Sequence, residues 1–409
     1  MALATAAWRR FCNRKFHWRG LYNVSESHST SELSFYDSTI EEYAAEPLER
    51  MSLLEMLRIG SRAVDDPRAV FQHAEYVRTE LPKRLARRVL DLQFLPYIFV
   101  TNPHIKRVYN AYKSAFQRLI ECERITTMSQ NEDFAGLLRR LVDEHTPMLD
   151  SLASGVRDCR NKRHTGEHLQ LDRFLEGMLR SRISRRVIAE HHLNLHKKRS
   201  GYIGCVKTHI SVHSAVDHAA NRARMVCIET FGDAPGLQLL GDLHVAMPYI
   251  PVHLDYVLFE LMKNSMRAVV EVHQRSASSK TVLPPIQVRI CEAPKEVTIK
   301  ISDRGGGIDY DKLENIWEYG YTTLAGGMVL SDSGSFDLMD AMGGAGKYRI
   351  AGLGFGLPFS RLHARYFGGD LQLVSLAGYG CDAFLRLRKL QDHDWMETVE
   401  EGSDCEQVA

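Results

Sequence analysis

Three short segments, far apart in the chain but fixed in order, constrain this sequence most. The first is Phe259-Glu-Leu-Met-Lys-Asn-Ser-Met-Arg267, inside the helical stretch Leu254 to Val272. On a helix Glu260 and Asn264 share a face, and Arg267 joins it one turn on. A carboxylate stacked beside a carboxamide can hold a hydroxyl next to a hard cation. Asn offers a neutral oxygen to Mg²⁺, which takes oxygen ligands and keeps several waters. The second segment is Ser302-Asp-Arg-Gly-Gly-Gly-Ile308, directly after the alternating strand Val297-Thr-Ile-Lys-Ile301. Asp303 at a strand end can accept from the exocyclic amine of adenine. Gly305 and Gly307 allow positive φ and close backbone approach to a ligand. The third segment, Gly352-Leu-Gly-Phe-Gly-Leu-Pro358, opens a helix that runs to Tyr366. Glycines ahead of a helix start let phosphate reach unpaired N–H groups at the positive end of the helix. Gly352, Leu353, Gly354, Phe355, Gly356 and Leu357 are the candidate cradle. The segment lacks both the context of a dinucleotide fingerprint and the Gly-Lys-Ser/Thr of a Walker loop. Each segment alone is a common turn or a solvated helix face; their order is the specific signal.

The two halves of the chain differ. From about residue 31 to 199 the pattern is helical: Leu53, Leu54 and Leu57, then Phe116, Leu119 and Ile120, then Leu137, Leu138, Leu141 and Val142 keep the spacing of an apolar stripe. Pro96 and Pro103 punctuate it, and 161–170 reads as a loop. Several long helices with few strands predict an antiparallel bundle. After residue 200, strands appear between helices: Val297–Ile301, and a hairpin of Leu371–Leu376 and Ala383–Leu387 around a turn at Ala377–Gly380. The fold class is α+β in two domains, a helical bundle at 31–199 and an α/β sandwich at 201–390. Residues 320–352 hold eight glycines without periodicity, the composition of a lid.

The ends are distinct. Residues 1–25 carry five Lys or Arg, no acid and four interleaved Trp or Phe, the pattern of a mitochondrial presequence; a basic disordered arm is the alternative. Residues 391–409 hold seven acids and no Lys or Arg, and read as a solvated tail. Overall, Lys+Arg 52 against Asp+Glu 51 gives no electrostatic case for nucleic-acid binding. The sequence has no apolar run long enough to span a membrane, so no membrane insertion is expected. Eight scattered cysteines with no Cys-x-x-Cys point to a reduced compartment.

Taken in order, the three segments resemble the N-box and two glycine boxes of the GHKL-type ATPase fold, shared by Hsp90-type chaperones, topoisomerase II, MutL and histidine kinases. Over about residues 31–390 the chain is similar to the mitochondrial 2-oxoacid dehydrogenase kinases. The likeness rests on Leu254–Ala268, Ile301–Ile308, Gly354–Pro358 and Tyr366-Phe-Gly-Gly-Asp-Leu-Gln-Leu373. In the bundle it rests on Glu80-Leu-Pro-Lys-Arg84, Leu95-Pro-Tyr-Ile98 and Ser181-Arg-Ile-Ser184. Leu254-Asp-Tyr256, His191-His-Leu-Asn-Leu-His196 and Tyr319-Gly-Tyr-Thr-Thr323 lean toward the branched-chain member, whereas Asp394-Trp395 resembles a pair found in pyruvate dehydrogenase kinases.

The resemblance implies a protein-serine kinase of the mitochondrial matrix that inactivates the E1α subunit of a 2-oxoacid dehydrogenase complex, the branched-chain complex favoured. It implies Glu260 as general base and Asn264 as ligand of Mg²⁺ on ATP. Lys263 and Arg267 would place positive charge near the phosphates, Lys263 with the alternative of pointing to solvent. Asp303 would read adenine, with Thr322 and Thr323 bordering the nucleotide. A K⁺ site is implied at Ile316, Glu318 and Tyr321. The bundle would bind the lipoyl domain of the E2 core and carry an inhibitory 2-oxoacid pocket, and the protein would be a homodimer. One departure stands out: Cys381, read here in the hairpin turn, replaces the family's usual Thr and so removes a hydroxyl from the nucleotide side. It leaves open a catalytically weak, lipoyl-binding regulator switched by ATP. His192 sits where histidine kinases carry their phosphoacceptor; a packed histidine between domains, helping to orient Glu260, is the favoured reading.

Overall fold

The computed structural model describes residues 38–49, 51–161, 171–195, 197, 199–275, 282–321 and 354–390. The presequence, the acidic tail, the 161–170 loop beyond Asn161, His196, most of the glycine-rich lid, and Thr322, Thr323, Gly352 and Leu353 lie outside them.

The N-terminal half contains α1 (Ser38–Ala45), α2 (Leu53–Asp65), α3 (Pro67–Gln93), α4 (Tyr97–Val100), α5 (Pro103–Ile120), α6 (Met128–His145), α7 (Met148–Asn161) and α8 (Leu171–Leu195). Local chemistry sets several starts. Ser52 and Glu55 close a capping box on α2, and Thr127 and Gln130 do so on α6. Asn102 accepts from the N–H groups of His104 and Ile105, with Pro103 in the first turn of α5. The long α3 packs against α1, α2, α5 and α8 and forms the spine of the bundle. Val77, Ala86, Val89, Val108, Phe116 and Leu175 are fully buried there.

The second half begins with a small sheet of β1 (Tyr202–Ile203), β2 (Val206–Ser211) and β4 (Ala246–Tyr249). The main sheet joins β3 (Leu237–Gly241), β5 (Ile286–Glu292), β6 (Glu296–Ser302), β7 (Asp370–Leu376) and β8 (Gly380–Arg388), in the order β3-β5-β6-β8-β7. Helices α9 (Val212–Phe231), α10 (Pro251–Arg275) and α11 (Gly356–Tyr366) complete the half, and α10 and α11 pack on the sheet. Ile286, Val288 and Ile290 alternate with exposed Gln287, Arg289 and Cys291, so one face of β5 is buried. Val297, Ile299 and Ile301 continue that face at zero exposure.

Two details differ from the sequence reading. The β3–β5 pair is parallel, inside an otherwise antiparallel sheet. Leu237–Gly241 lacks the β-branched residues that mark a strand; tertiary pairing with β5 decides its conformation. Gly380 and Cys381 belong to β8, paired with Leu376 and Ser375, so the hairpin turn is shorter than read and Cys381 lies in the strand.

Candidate active site

Helix α10, the end of β6, the β7–β8 hairpin and the start of α11 open on one cavity of about 470 Å³. Asn264, Asp303 and Gly354 all line it, and so do Glu260, Arg267 and Leu357. Three segments separated by tens of residues thus share one space.

Asp303 sits at the floor, 7% exposed. Its Oδ1 accepts from the N–H groups of Gly305 (2.9 Å) and Cys381 (3.2 Å), and the side chain also bonds to Ser265. Burial pushes its carboxyl above the usual range, while these donors pull the other way. The carboxylate is therefore fixed in place, with one oxygen already committed to the backbone. The glycines that follow serve close packing. A Cβ on Gly305 would lie 2.4 Å from the Ala268 Cβ, against α10. Gly307, at φ +70°, would place a Cβ 2.2 Å from the Leu376 carbonyl oxygen. This loop can wedge between helix and hairpin only without side chains at these two positions.

Glu260 is 7% exposed, and Lys263 Nζ lies 2.5 Å from its Oε1. Lys263 is thus buried against the carboxylate and does not point to solvent. Gly356 completes the setting: a Cβ there would fall 2.2 Å from Glu260 Oε2. The last glycine of the third segment therefore makes room for the carboxylate. Arg267 is paired with Glu271 at 2.6 Å. Asn264, by contrast, is exposed on the cavity wall. Its neutral carboxamide oxygen fits Mg²⁺, which takes oxygen donors and keeps several waters. Among the described residues no cluster of three His, Cys, Asp or Glu offers an all-protein metal site.

One turn before Glu260, buried Tyr256 packs edge-on to Phe359 and beside His363. His363 and His253 face each other with Nδ1 atoms 2.8 Å apart, tying α11 to α10. Burial keeps His253 neutral, lowering it to about 3. On the other side, Gly354 at φ +74° packs on the backbone of Gly320 and Tyr321, and its carbonyl accepts from the Gly320 N–H at 3.0 Å. The Tyr319 ring lies tilted against Phe355, and its backbone N–H donates to Asp172 on α8 at 3.3 Å, which anchors this edge to the bundle. Ile316 and Tyr321 line the cavity, while Glu318 is exposed. Phe355 is buried.

Cys381 lines the cavity beside Asp303, with its Sγ 3.5 Å from Ser375 Oγ. His192 is fully buried inside the bundle and stacks on His73, Nδ1 to Nδ1 3.3 Å. It lies among bundle residues instead of between the domains, because α8 turns that face toward α3 and α6. A second feature escaped the sequence reading. A small cavity of about 50 Å³ in the bundle is walled by Leu81, Leu138 and Leu141 and by His145, Arg182, Arg185 and Arg186. Arg182 donates to the carbonyls of His145 (2.6 Å) and Thr146 (3.2 Å), and Arg185 stacks on Tyr112 at 4.2 Å. The arginine-rich run Arg180–Arg186 was the available signal.

Comparison with known proteins covers both halves. Residues 50–207 match the family described as mitochondrial branched-chain alpha-ketoacid dehydrogenase kinase. Residues 249–391 match the histidine kinase-, DNA gyrase B- and HSP90-like ATPase family. The mitochondrial [pyruvate dehydrogenase (acetyl-transferring)] kinase of Arabidopsis thaliana is 34% identical over 344 residues, 84% of this chain and 91% of that protein. Isozyme 4 from Homo sapiens is 31% identical, over 85% of this chain and 82% of its own length. The Drosophila melanogaster kinase is 30% identical, over 91% and 89%.

Proposed function

Since the chain belongs to the mitochondrial 2-oxoacid dehydrogenase kinase family, and is a protein kinase built on a GHKL ATPase domain, we propose that it phosphorylates serine on the E1α subunit of the branched-chain 2-oxoacid dehydrogenase complex and so inactivates it. One observation carries the site assignment: Asn264, Asp303 and Gly354 converge on one cavity with Glu260 on its wall. Asp303 receives the adenine amine, Asn264 ligates Mg²⁺, and the backbone at 352–357 receives the phosphates. Arg267, held by Glu271, borders the phosphates with its remaining N–H groups, and Thr322 and Thr323 border the nucleotide. Mg²⁺ bound there neutralises phosphate charge.

Glu260, oriented by Lys263 and confined by Gly356, takes the proton from the serine hydroxyl as it attacks. The rest is positioning, as in phosphoryl transfer generally. K⁺ would sit at Ile316, Glu318 and Tyr321. The branched-chain preference rests on Tyr256 and on the His191–His196 run; the curated relatives named above are pyruvate dehydrogenase kinases, so the two E1 proteins must be compared directly.

The wider assignments are part of the same proposal. The protein works in the mitochondrial matrix, delivered by residues 1–25. The bundle engages the lipoyl domain of the E2 core. Its arginine-lined cavity takes a small inhibitory 2-oxoacid, whose carboxylate suits Arg182 and Arg185. The sheet edge at β7, with Val374 and Leu376 more than half exposed, supports a homodimer.

The test is ³²P transfer from Mg-ATP to purified branched-chain E1 and pyruvate E1, each with its own E2 core. Glu260→Gln should lower turnover by about 10²–10⁴-fold while ATP binding holds. Unchanged turnover in this variant would reject Glu260 as base. ATP and E2 binding with negligible transfer by the parent protein would favour the ATP-switched regulator instead.

A further inference from the structure

A second cleft, about 490 Å³, lies where the end of α8 meets β1–β2 and the first turns of α9 and α10. It is as large as the active-site cavity and within the range of small-molecule sites. It flanks the opposite face of α10 from Glu260. Its floor is apolar, formed by buried Ile210, Ile250 and Leu254.

The charges on its walls do not balance. Glu190 is matched by Arg186 at 2.6 Å. Asp255 is matched by Arg222 and by His218. Arg199 and Lys207 also line the cleft, and neither has an acidic partner among the described residues. Arg199 lies over the Tyr202 ring at 4.4 Å, which holds its guanidinium in position. The positive ends of α9 and α10 open on the same space.

We propose that this cleft binds a small phosphate monoester with an apolar body, the phosphate between Arg199 and Lys207 and the body on Ile210, Ile250 and Leu254. A monoester phosphate carries close to two negative charges at neutral pH, the number the two cations match. An arginine fork and a lysine point charge together suit its oxygens. The site is separate from the nucleotide cavity, so both can be filled at once.

The probe is 4-fluorophenyl phosphate, followed by ¹⁹F NMR on the full chain with saturating Mg-ADP present. Saturable binding is expected despite the ADP. Arg199→Gln and Lys207→Gln should each weaken it roughly tenfold, while Lys207→Arg keeps it. All three variants should retain the parent's melting temperature and Mg-ADP affinity. 4-Fluorophenol, with the same body but no phosphate, should bind at least roughly tenfold more weakly. The proposal is overturned by the absence of saturable binding, by displacement with Mg-ADP, or by parental affinity in either Gln variant. Because Arg199 and Lys207 are tested separately, a folding defect in one leaves the other decisive.

Discussion

Gly356→Ala separates catalysis from stability. Gly356 opens α11 without a positive φ, so its backbone accepts alanine. The added methyl, however, would fall 2.2 Å from Glu260 Oε2 and 3.2 Å from Cδ. Ordinary van der Waals contact requires the carboxylate to retreat by about 1 Å. It can do so by rotating, but the Lys263 contact at 2.5 Å must then distort or break. A displacement of about 1 Å at a reacting group costs roughly 10²-fold in rate. Stability changes little: an alanine at a compatible site gains about 0.4–1 kcal/mol through the unfolded chain, offset in part by the strained ion pair. The expected phenotype is turnover lowered about 100-fold, ATP affinity retained, and a melting temperature near the parent's. Steady-state ³²P transfer to E1α, ATP titration and thermal melting measure the three quantities. Parental turnover in Gly356→Ala would refute the idea that Glu260 must occupy this position.

Further outcomes follow from neighbouring contacts. Cys381→Thr returns a hydroxyl to the cavity beside Asp303 and should tighten ATP binding by about 0.5–1.5 kcal/mol; equal or weaker affinity by calorimetry would count against a nucleotide-facing role. Gly305→Ala would press a methyl to 2.4 Å from the Ala268 Cβ, so denaturant melts should show a loss of about 1–3 kcal/mol, and an unchanged midpoint would contradict the packing. His145, His191 and His253 are lowered by burial to about 3, about 4 and about 3, from an ordinary 6.5. As pH falls through 6.5 the unfolded chain takes up protons that the folded chain refuses, so their contribution is full above 6.5 and is lost as pH falls toward 3–4. Chemical denaturation should show lower stability at about pH 5.5 than at about pH 7.5, mostly above the carboxylate range; a flat profile would reject the burial of neutral histidines.

The helical half was legible because burial on one face of a helix writes itself into the spacing of Leu, Ile and Phe, and because caps such as Ser52–Glu55 are local. Strand β6 was legible for the same reason at period two, in Val297, Ile299 and Ile301. Leu237–Gly241 was not, since nothing in Leu-Gln-Leu-Leu-Gly distinguishes a parallel strand from a loop. Lys263 could not be assigned from its place in α10, because a lysine three residues from a glutamate is equally at home in solvent. His192 illustrates the same limit: its position along α8 is readable, but which helices surround it is not.

By itself the sequence determined that a helical half precedes an ATPase half, and it singled out three segments that line one cavity. These properties depend on residue type and spacing along the chain, which folding leaves unchanged. Only the tertiary structure decided what each glycine is for. Gly307 clears the Leu376 carbonyl and Gly356 clears the Glu260 carboxylate, contacts between residues about 70 and 100 positions apart. It also decided that Arg199 and Lys207 share a second cleft, with no acidic partner of their own among the described residues. Charge balance and close approach are relations between side chains in space, and sheet register and helix packing alone bring those side chains together.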